Sequence, residues 1–167
     1  YPIMFLTLIV LVSVVLLVVM NRVTKPIIQM QQESEIKSLL GEIFPDMDDF
    51  EYRDEIYFIY QNGENVGYAF LATGKGYGGE ISILVGVDTD FNVNRVIILS
   101  HSETPGLGAK ITEDSFTNQF RGLSLDEIAL TKEGGKVDAI TGATISSRAV
   151  VEAIRNTIKE KVSIIQK

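Results

Sequence analysis

The stretch Glu80-Ile-Ser-Ile-Leu-Val-Gly-Val87 decides the fold class of this 167-residue chain. It is a short apolar, β-rich run bounded by turn residues, which predicts a β-strand. Three runs of the same kind accompany it: Ile56–Tyr60, Val66–Ala72 and Val93–Leu99. Asn62-Gly63 is a strong hairpin signal between the first two, and Asp88 to Asn92 predicts a turn before the last. We therefore expect an antiparallel meander.

Helical patterns flank this predicted sheet. Thr112 to Phe120 predicts a short helix with Phe116 and Phe120 on one face. A final helix is expected from about Ser146 to Ile165. Its apolar stripe, which we expect to pack on the sheet, comprises Val150, Ile154, Ile158, Val162 and Ile165. The predicted fold class is α+β, an antiparallel sheet with flanking helices.

The chain begins with an apolar run from Ile3 to Met20, in which Thr7 and Ser13 are the only polar residues. About 18–20 apolar residues in a helix cross the hydrocarbon core of a bilayer. A secretory signal has an apolar region of only about 7–15 residues and a small-residue cleavage site, and no such site follows Met20. We expect residues 1–22 to form a transmembrane anchor, residues 23–45 an amphipathic stalk helix, and residues 46–167 a folded domain.

Composition excludes several classes of function. The net charge is −7, from 15 basic and 22 acidic residues, and there is no basic cluster, so no nucleic-acid partner is expected. The absence of cysteine removes Fe–S ligation, thiolate zinc sites, disulfides and cysteine nucleophiles. His101 is the only histidine, which argues against a multi-histidine metal or haem site. A redox function would therefore require an organic cofactor.

Gly74-Lys-Gly-Tyr-Gly-Gly79 has the spacing of a dinucleotide fingerprint. That fingerprint must open a helix, whereas a strand is predicted to follow here, so a Rossmann site is not expected. Two interpretations remain. The segment is either a glycine turn between strands, or a loop whose backbone a flat ligand can approach, with Tyr77 covering that ligand.

His101-Ser-Glu-Thr-Pro-Gly-Leu-Gly108 follows the last predicted strand, and Pro105-Gly106 predicts a tight turn within it. One interpretation is a polar loop at the edge of the sheet. The other is a loop that faces a ligand, in which His101 and Glu103 exchange protons near a redox ring. A single unpaired histidine is more often structural.

Thr141-Gly-Ala-Thr144 stands just before the last predicted helix. Helix capping explains the serines that follow it, Ser146 or Ser147, but does not explain this second hydroxyl-rich turn. The small residues leave Thr144 uncrowded, and a helix N-terminus supplies N–H donors and positive potential. The residues alone predict a phosphate held near Thr144 and go no further.

These segments resemble a known family. Asp138-Ala-Ile-Thr-Gly-Ala-Thr144 is similar to the flavinylation motif of FMN-binding domains, Asp-x-x-(Ser/Thr)-Gly-Ala-(Thr/Ser). In that family a flavin transferase joins FMN by a phosphoester to the last motif residue, which maps here to Thr144. The segments 101–108 and 74–79 stand in the order and spacing of the G subunit of the Rnf complexes, and the N-terminal membrane helix also fits. The resemblance makes residues 46–167 an FMN-binding domain.

The resemblance implies an electron relay within an ion-translocating complex that couples reduced ferredoxin and NAD⁺ to sodium or proton movement. Its implied partners are multi-spanning and Fe–S subunits, membrane lipid, and a flavin transferase during maturation. The implied location is a bacterial or archaeal cell membrane, with a single pass and the FMN domain on the extracytoplasmic side. Arg22 and Lys25 alone favour the opposite side by the positive-inside rule. Nothing in the sequence indicates a substrate pocket, so we expect a carrier that is not catalytic alone.

The resemblance also implies which residues surround the FMN. The expected covalent attachment is at Thr144, and Asp138 is expected to serve recognition by the transferase, because a carboxylate repels a phosphate. The other expected contacts are Thr141, Gly142, Ala143, Glu103, Thr104, Gly106, Leu107, Gly76, Tyr77 and Gly78.

Three alternatives remain open. The C subunit of the sodium-translocating NADH:quinone reductase shares the motif and topology but is usually longer. A free-standing extracytoplasmic FMN carrier would have the same site and different partners. A membrane-anchored sensor or adhesion domain would have no cofactor.

Overall fold

The computed structural model describes residue 6, residues 10–14 and residues 34–166. The chain divides into two compact units, Tyr1–Leu39 and Leu40–Lys167. Most of the predicted anchor, 1–22, and the first part of the predicted stalk, up to residue 33, lie outside the described residues. Within the described residues, no helix combines the length and the apolar composition that a membrane crossing requires.

Within residues 34–166, one five-stranded sheet contains every strand. The strands are β1 (Asp49–Arg53), β2 (Ile56–Gln61), β3 (Glu64–Lys75), β4 (Glu80–Asp88) and β5 (Val93–Ser100). They pair in chain order, and all four pairings are antiparallel. The predicted α+β class and its meander are confirmed. β1 was not predicted, because charged Asp49, Glu51 and Arg53 on this exposed edge strand conceal the apolar pattern.

The β2–β3 hairpin forms where the sequence predicts it. Asn62 and Gly63 have φ angles of 51° and 79°, and both positive values are required by the type I′ turn that matches strand twist. Gln61 pairs with Glu64 on either side of this turn. Asparagine and glycine adopt positive φ at low cost, so two residues fix the register of the two strands.

Residues 34–43 are helical and are labelled α1, and Ile43 at the end of this helix and Phe44 after it lie against one face of the sheet. A Cβ at Gly67 would lie 2.8 Å from Phe44 Cε1, and one at Gly86 would lie 3.2 Å from Phe44 Cε2. The absence of side chains at these two glycines leaves space for the Phe44 ring, and Leu40 and Ile43 are also buried. The second compact unit begins at Leu40, which lies within the range 23–45 predicted as the stalk.

The remaining helices cover the other face of the sheet. α2 (Asp114–Thr117) lies between two 3₁₀ segments, Gly108–Thr112 and Asn118–Phe120, and α3 (Thr144–Ile165) ends the fold. The single helix predicted over 112–120 is therefore broken, because Glu113 is extended (φ −72°, ψ 143°). Phe116 and Phe120 nevertheless share a face as predicted, with ring centroids 5.6 Å apart in edge contact.

The main core lies between this second face of the sheet and the helices that cover it. The apolar stripe of α3 packs on the sheet as predicted, with Val150, Ile154 and Ile158 fully buried. Their partners in the same cluster include Phe70, Ile81, Ile83, Val85 and Phe116. Burial of an aliphatic side chain contributes about 1.5–3 kcal/mol, so this stripe anchors α3 and fixes where its first turn lies.

Lys161 joins the far end of α3 to the turn between β1 and β2. Its side chain is buried, and Nζ lies 2.9 Å from Glu55 Oε2 and 3.5 Å from Glu160 Oε1. Burial lowers the pKa of Lys161, but the hydrogen bond from its ammonium to Glu55 and the two carboxylate charges outweigh it, so the net pKa is raised. The lysine therefore stays charged and holds the C-terminal half of α3 against the sheet.

Candidate functional site

Three segments that are distant in sequence meet at an open cleft. They are the β3–β4 turn, the loop after β5, and the first turn of α3. The cleft has a volume of about 570 Å³, within the range of about 300–1,000 Å³ that small-molecule sites occupy. Its lining residues are Tyr77, Glu103, Thr104, Leu107, Gly108, Gly142, Ala143, Thr144, Ile145 and Ser146.

Seven residues expected at the ligand line this cleft: Tyr77, Glu103, Thr104, Leu107, Gly142, Ala143 and Thr144. The other expected residues, Gly76, Gly78, Gly106, Thr141 and Asp138, are outside its lining. Sequence reasoning did not select Gly108, Ile145 and Ser146, which the structure adds. Ile145 could have been selected from the sequence. It is a large apolar residue in the first turn of a helix and adjoins a phosphate motif, and such a residue points either into the core or at a ligand.

The first turn of α3 presents free backbone donors to the cleft. Thr144 is the first helical residue, and Ala143 at the N-cap makes no side-chain capping bond. The first bond of the helical series runs from Ser147 N to Ala143 O, 3.0 Å. Among residues 34–166, the N–H groups of Thr144, Ile145 and Ser146 precede that bond and have no backbone partner. Their donors and the helix dipole favour an anion at this point.

The serines that follow are not caps, contrary to the capping interpretation. Ser146 and Ser147 lie inside the helix and are buried. Ser147 Oγ accepts from Ile140 N and donates to Ala143 O, both at 3.0 Å. Gly142 has φ 80°, a value that favours glycine. This bracing holds the turn before the helix, while the Thr144 side chain remains exposed at the cleft.

Asp138 braces the segment that leads into this turn. Its carboxylate accepts from Thr131 Oγ1 at 2.9 Å, and its N–H donates to Gln119 Oε1 at 2.7 Å. The side chain is exposed and outside the cleft lining. Its position keeps this negative charge out of the lining of the cleft.

Glu103 connects all three segments. Its carboxylate accepts from Gly78 N at 2.9 Å, from Tyr77 N at 3.2 Å, and from the Ser146 hydroxyl. Burial raises the pKa of Glu103, but the hydrogen bonds from Ser146, Gly78 and Tyr77 outweigh it, and the net pKa lies below its ordinary value. Glu103 is therefore ionised and already engaged, which argues against a role as a proton donor.

His101 has a structural contact in this loop. Its Nδ1 accepts a hydrogen bond from Glu103 N at 3.2 Å, and the ring is partly buried. In this structure the histidine side chain fixes the backbone at Glu103.

The glycines behind the cleft allow chain segments to touch. A Cβ on Gly78 would collide with the carbonyl oxygen of Ser102, and one on Gly76 with the Glu103 carboxylate. A Cβ on Gly108 would lie 2.8 Å from both Glu103 Oε2 and Ser146 Oγ. The 74–79 segment is thus a turn between strands, closed by Gly76 N to Gly79 O at 2.8 Å. Its glycines serve packing, and its tyrosine is the side chain that reaches the cleft.

The mouth of the cleft is apolar. Tyr77 is 74% exposed, Ile145 55% and Leu107 48%, although all three are large apolar side chains. Exposed apolar clusters of this kind mark binding surfaces more often than inert ones. The cleft therefore combines an anion site at the helix terminus with an apolar rim. Among the residues that the structure describes, no group of His, Asp or Glu side chains is arranged to hold a metal.

Glu127 stabilises the segment before Asp138 in a pH-dependent way. Lys136 Nζ lies 2.5 Å from its carboxylate, and Ser124 N and Oγ donate at 3.1 Å. The bond from Lys136, followed by those from Ser124, lowers the pKa of Glu127 from 4.5 to about 2. Because the folded-state pKa is depressed, this contribution is complete above 4.5 and is lost as pH falls towards 2.

We expect Glu127→Gln to flatten the decline in unfolding free energy over this acidic range. Urea unfolding above pH 4.5 and near pH 2 measures it. Lys136→Met removes the leading cause of the shift and should flatten the same decline. A slope as steep as wild type in both variants would contradict the assignment.

The FMN-binding domain family matches residues 76–159, a range that includes every segment of the cleft. The chain belongs to this family. The FMN-binding domain protein is 37% identical to the G subunit of the ion-translocating oxidoreductase complex of Methanosarcina acetivorans, over 88% of this chain and 86% of that protein. It is 30% identical to the G subunit of the proton-translocating ferredoxin:NAD(+) oxidoreductase complex of Clostridium ljungdahlii, over 93% and 87%. The resemblance identified in the sequence is thereby confirmed.

A solved structure supports the same fold for the FMN-binding domain. The C subunit of the Na(+)-translocating NADH-quinone reductase from Parabacteroides distasonis superimposes with a TM-score of 0.54 at 25% identity. The match covers 67% of this chain and 62% of that chain.

The residues that line the cleft are chemically compatible with FMN. The N–H groups that precede the first helical hydrogen bond can donate hydrogen bonds to a phosphate, and the exposed Thr144 hydroxyl lies beside them. Tyr77, Leu107 and Ile145 offer apolar surface to a flat ring. No carboxylate other than that of Glu103 lines the cleft, and Glu103 is turned to donors of the protein. The donor set therefore suits a ligand with one anionic and one apolar end.

Proposed function

We propose that this chain is the FMN-carrying electron-relay subunit of a membrane-bound, ion-translocating ferredoxin:NAD⁺ oxidoreductase complex of the Rnf type. We further propose that FMN is bonded through its phosphate to the Thr144 hydroxyl. The observation that carries this proposal is the position of Thr144, exposed in the cleft at the first residue of a 22-residue helix. The family match and the G-subunit relatives supply the identity of the cofactor and the complex.

Each part of the cleft has a role in this proposal. The N–H groups of Thr144, Ile145 and Ser146 hold the phosphate, and the helix dipole stabilises its charge. Tyr77, Leu107 and Ile145 shield the ring from water on its apolar sides. FMN, when bound, supplies reversible electron transfer, and the protein tunes it through burial and nearby charge.

A covalent link suits a carrier better than a substrate-converting enzyme. It keeps the cofactor on the chain in every redox state, so affinity does not need to be maintained as the charge of the ring changes. We therefore propose that the chain passes electrons within a complex and is not catalytic alone.

The proposed setting is the cell membrane of a bacterium or archaeon. The apolar run from Ile3 to Met20 supports a single-pass anchor within residues 1–22. The proposed extracytoplasmic side of the FMN domain rests on the family resemblance and is opposite to the side that Arg22 and Lys25 alone favour. The proposed partners are multi-spanning and Fe–S subunits in the assembled complex and a flavin transferase during maturation. The names of the Methanosarcina and Clostridium relatives support a multi-subunit redox complex.

Purification of the tagged full chain from solubilised membranes of its native host tests the relay function. We expect multi-spanning and Fe–S subunits to co-purify, and the band of this chain to fluoresce as a flavoprotein in a denaturing gel. A fluorescent chain that purifies alone would favour the free-standing carrier instead. A colourless chain from the native host would favour the sensor or adhesion domain.

A further inference from the structure

One buried carboxylate joins the three walls of the cleft. Glu103 is only 5% exposed, and its partners come from the β3–β4 turn, through Tyr77 N and Gly78 N, and from α3, through the Ser146 hydroxyl. They are 26, 25 and 43 residues away along the chain. Among the side chains that line the cleft, that of Glu103 is the one that hydrogen-bonds to both of the other segments.

The surrounding backbone leaves this carboxylate little freedom to move. Cβ atoms at Gly76 and Gly108 would both meet its oxygens, so the two glycines close around it. Glu103 N is fixed in turn by His101 Nδ1 at 3.2 Å. A carboxylate with three donors and a confined position holds Tyr77 and the first turn of α3 at a set separation.

The same carboxylate places a fixed negative charge in the lining of the cleft. Glu103 lines the cleft together with Thr144, and its ionised state follows from its donors. Charges that share a partly desolvated cleft interact more strongly than charges in bulk water. A fixed negative charge disfavours the arrival of an electron on a neighbouring group, and therefore lowers the reduction potential of that group.

We propose that Glu103 is a positioning residue that braces the cleft and, through its charge, lowers the reduction potential of the FMN held there. The second half of this inference rests on the proposed function. The bracing role concerns the protein without its cofactor, so the bracing role and the electrostatic role can be refuted separately.

Glu103→Gln and Ser146→Ala form a pair with opposite expected effects. Glu103→Gln keeps nearly the same side-chain shape but removes the negative charge, and the amide has one acceptor oxygen where the carboxylate has two. Without the negative charge, the reduction potential of the flavin should rise. Ser146→Ala keeps the charge and removes one donor, so the carboxylate is less compensated and the potential should fall. Glu64→Gln is the control, because Glu64 is exposed at the start of β3, about 35 Å along the strand from the cleft.

The potentials are measured by reductive titration of the flavin-loaded full chain, followed through the flavin absorbance. Amide hydrogen exchange of Tyr77 and Gly78 is measured on the chain without flavin, and at least one of the two amides should exchange faster in Glu103→Gln. Opposite shifts of the two variants, with Glu64→Gln unchanged, support the proposal.

Equal potentials in Glu103→Gln and wild type, or shifts of the same sign in both variants, would overturn the electrostatic role. If Glu103→Gln does not fold, Ser146→Ala still decides this point, since a raised or unchanged potential contradicts it. Unaltered exchange of both amides in Glu103→Gln overturns the bracing role. A wild-type chain that carries no flavin when purified from its native host would instead refute the proposed function, and the amide measurement would still stand.

Discussion

Thr144→Val is expected to abolish the flavin fluorescence of the denatured chain. Valine matches the shape and β-branching of threonine, and the side chain is exposed at the first position of α3, so the fold should be retained. The only chemical group lost is the hydroxyl. Because a phosphoester requires that oxygen, the expected change is a loss to background, measured by ultraviolet illumination of a denaturing gel.

Two variants control this experiment. Thr144→Ser restores a hydroxyl at the same position and should restore fluorescence, since the motif that this segment resembles accepts either residue. Thr73→Val removes an exposed threonine hydroxyl from β3, outside the cleft, and should leave fluorescence unchanged. Retained fluorescence in Thr144→Val would refute the assignment of the attachment site.

Gly78→Ala is expected to destabilise the domain by about 3 kcal/mol, the upper end of the usual cost of overpacking. The added Cβ would overlap the Ser102 carbonyl oxygen and lie 2.7 Å from its carbon and 3.1 Å from Glu103 Cα. These are backbone atoms and cannot rotate away. The β3–β4 turn must shift from the loop after β5, which breaks the 2.9 Å bond from Gly78 N to Glu103. Urea unfolding measures the change.

Gly41→Ala provides the matched control for that substitution. A Cβ at Gly41 meets nothing within 4 Å, and the residue is helical without a positive φ. Alanine should therefore be neutral there or stabilise the domain by up to about 1 kcal/mol. If Gly78→Ala were as stable as Gly41→Ala, the close packing described between the turn and the loop would be wrong.

The sheet could be predicted because its signals are local. Asn62-Gly63 specifies a turn by the φ values that two adjacent residues adopt, and the apolar runs on either side supply the strands. β1 was missed because Asp49, Glu51 and Arg53 on this edge strand leave too few apolar residues for a strand pattern. Glu113 broke the helix predicted over 112–120, and no proline or glycine at that position announces the break.

The candidate site was predicted in part for the same reason. The three segments could be selected because each carries unusual residues within a few positions. Their contacts could not, since the bond between Glu103 and Ser146 spans 43 residues and depends on how the sheet and α3 pack. The start of α3 was also placed late, at Ser146, because capping rules favour serine over the Ala143 that occupies the N-cap.

Mass spectrometry of the chain from its native host tests the central claim most directly. Cleavage after Lys136 and Arg148 releases the peptide Val137–Arg148, which contains Thr144 together with Thr141, Ser146 and Ser147. The account predicts an intact mass raised by one FMN less one water, with fragmentation placing the increment on Thr144. An unmodified intact mass, or an increment on any other residue, would contradict it.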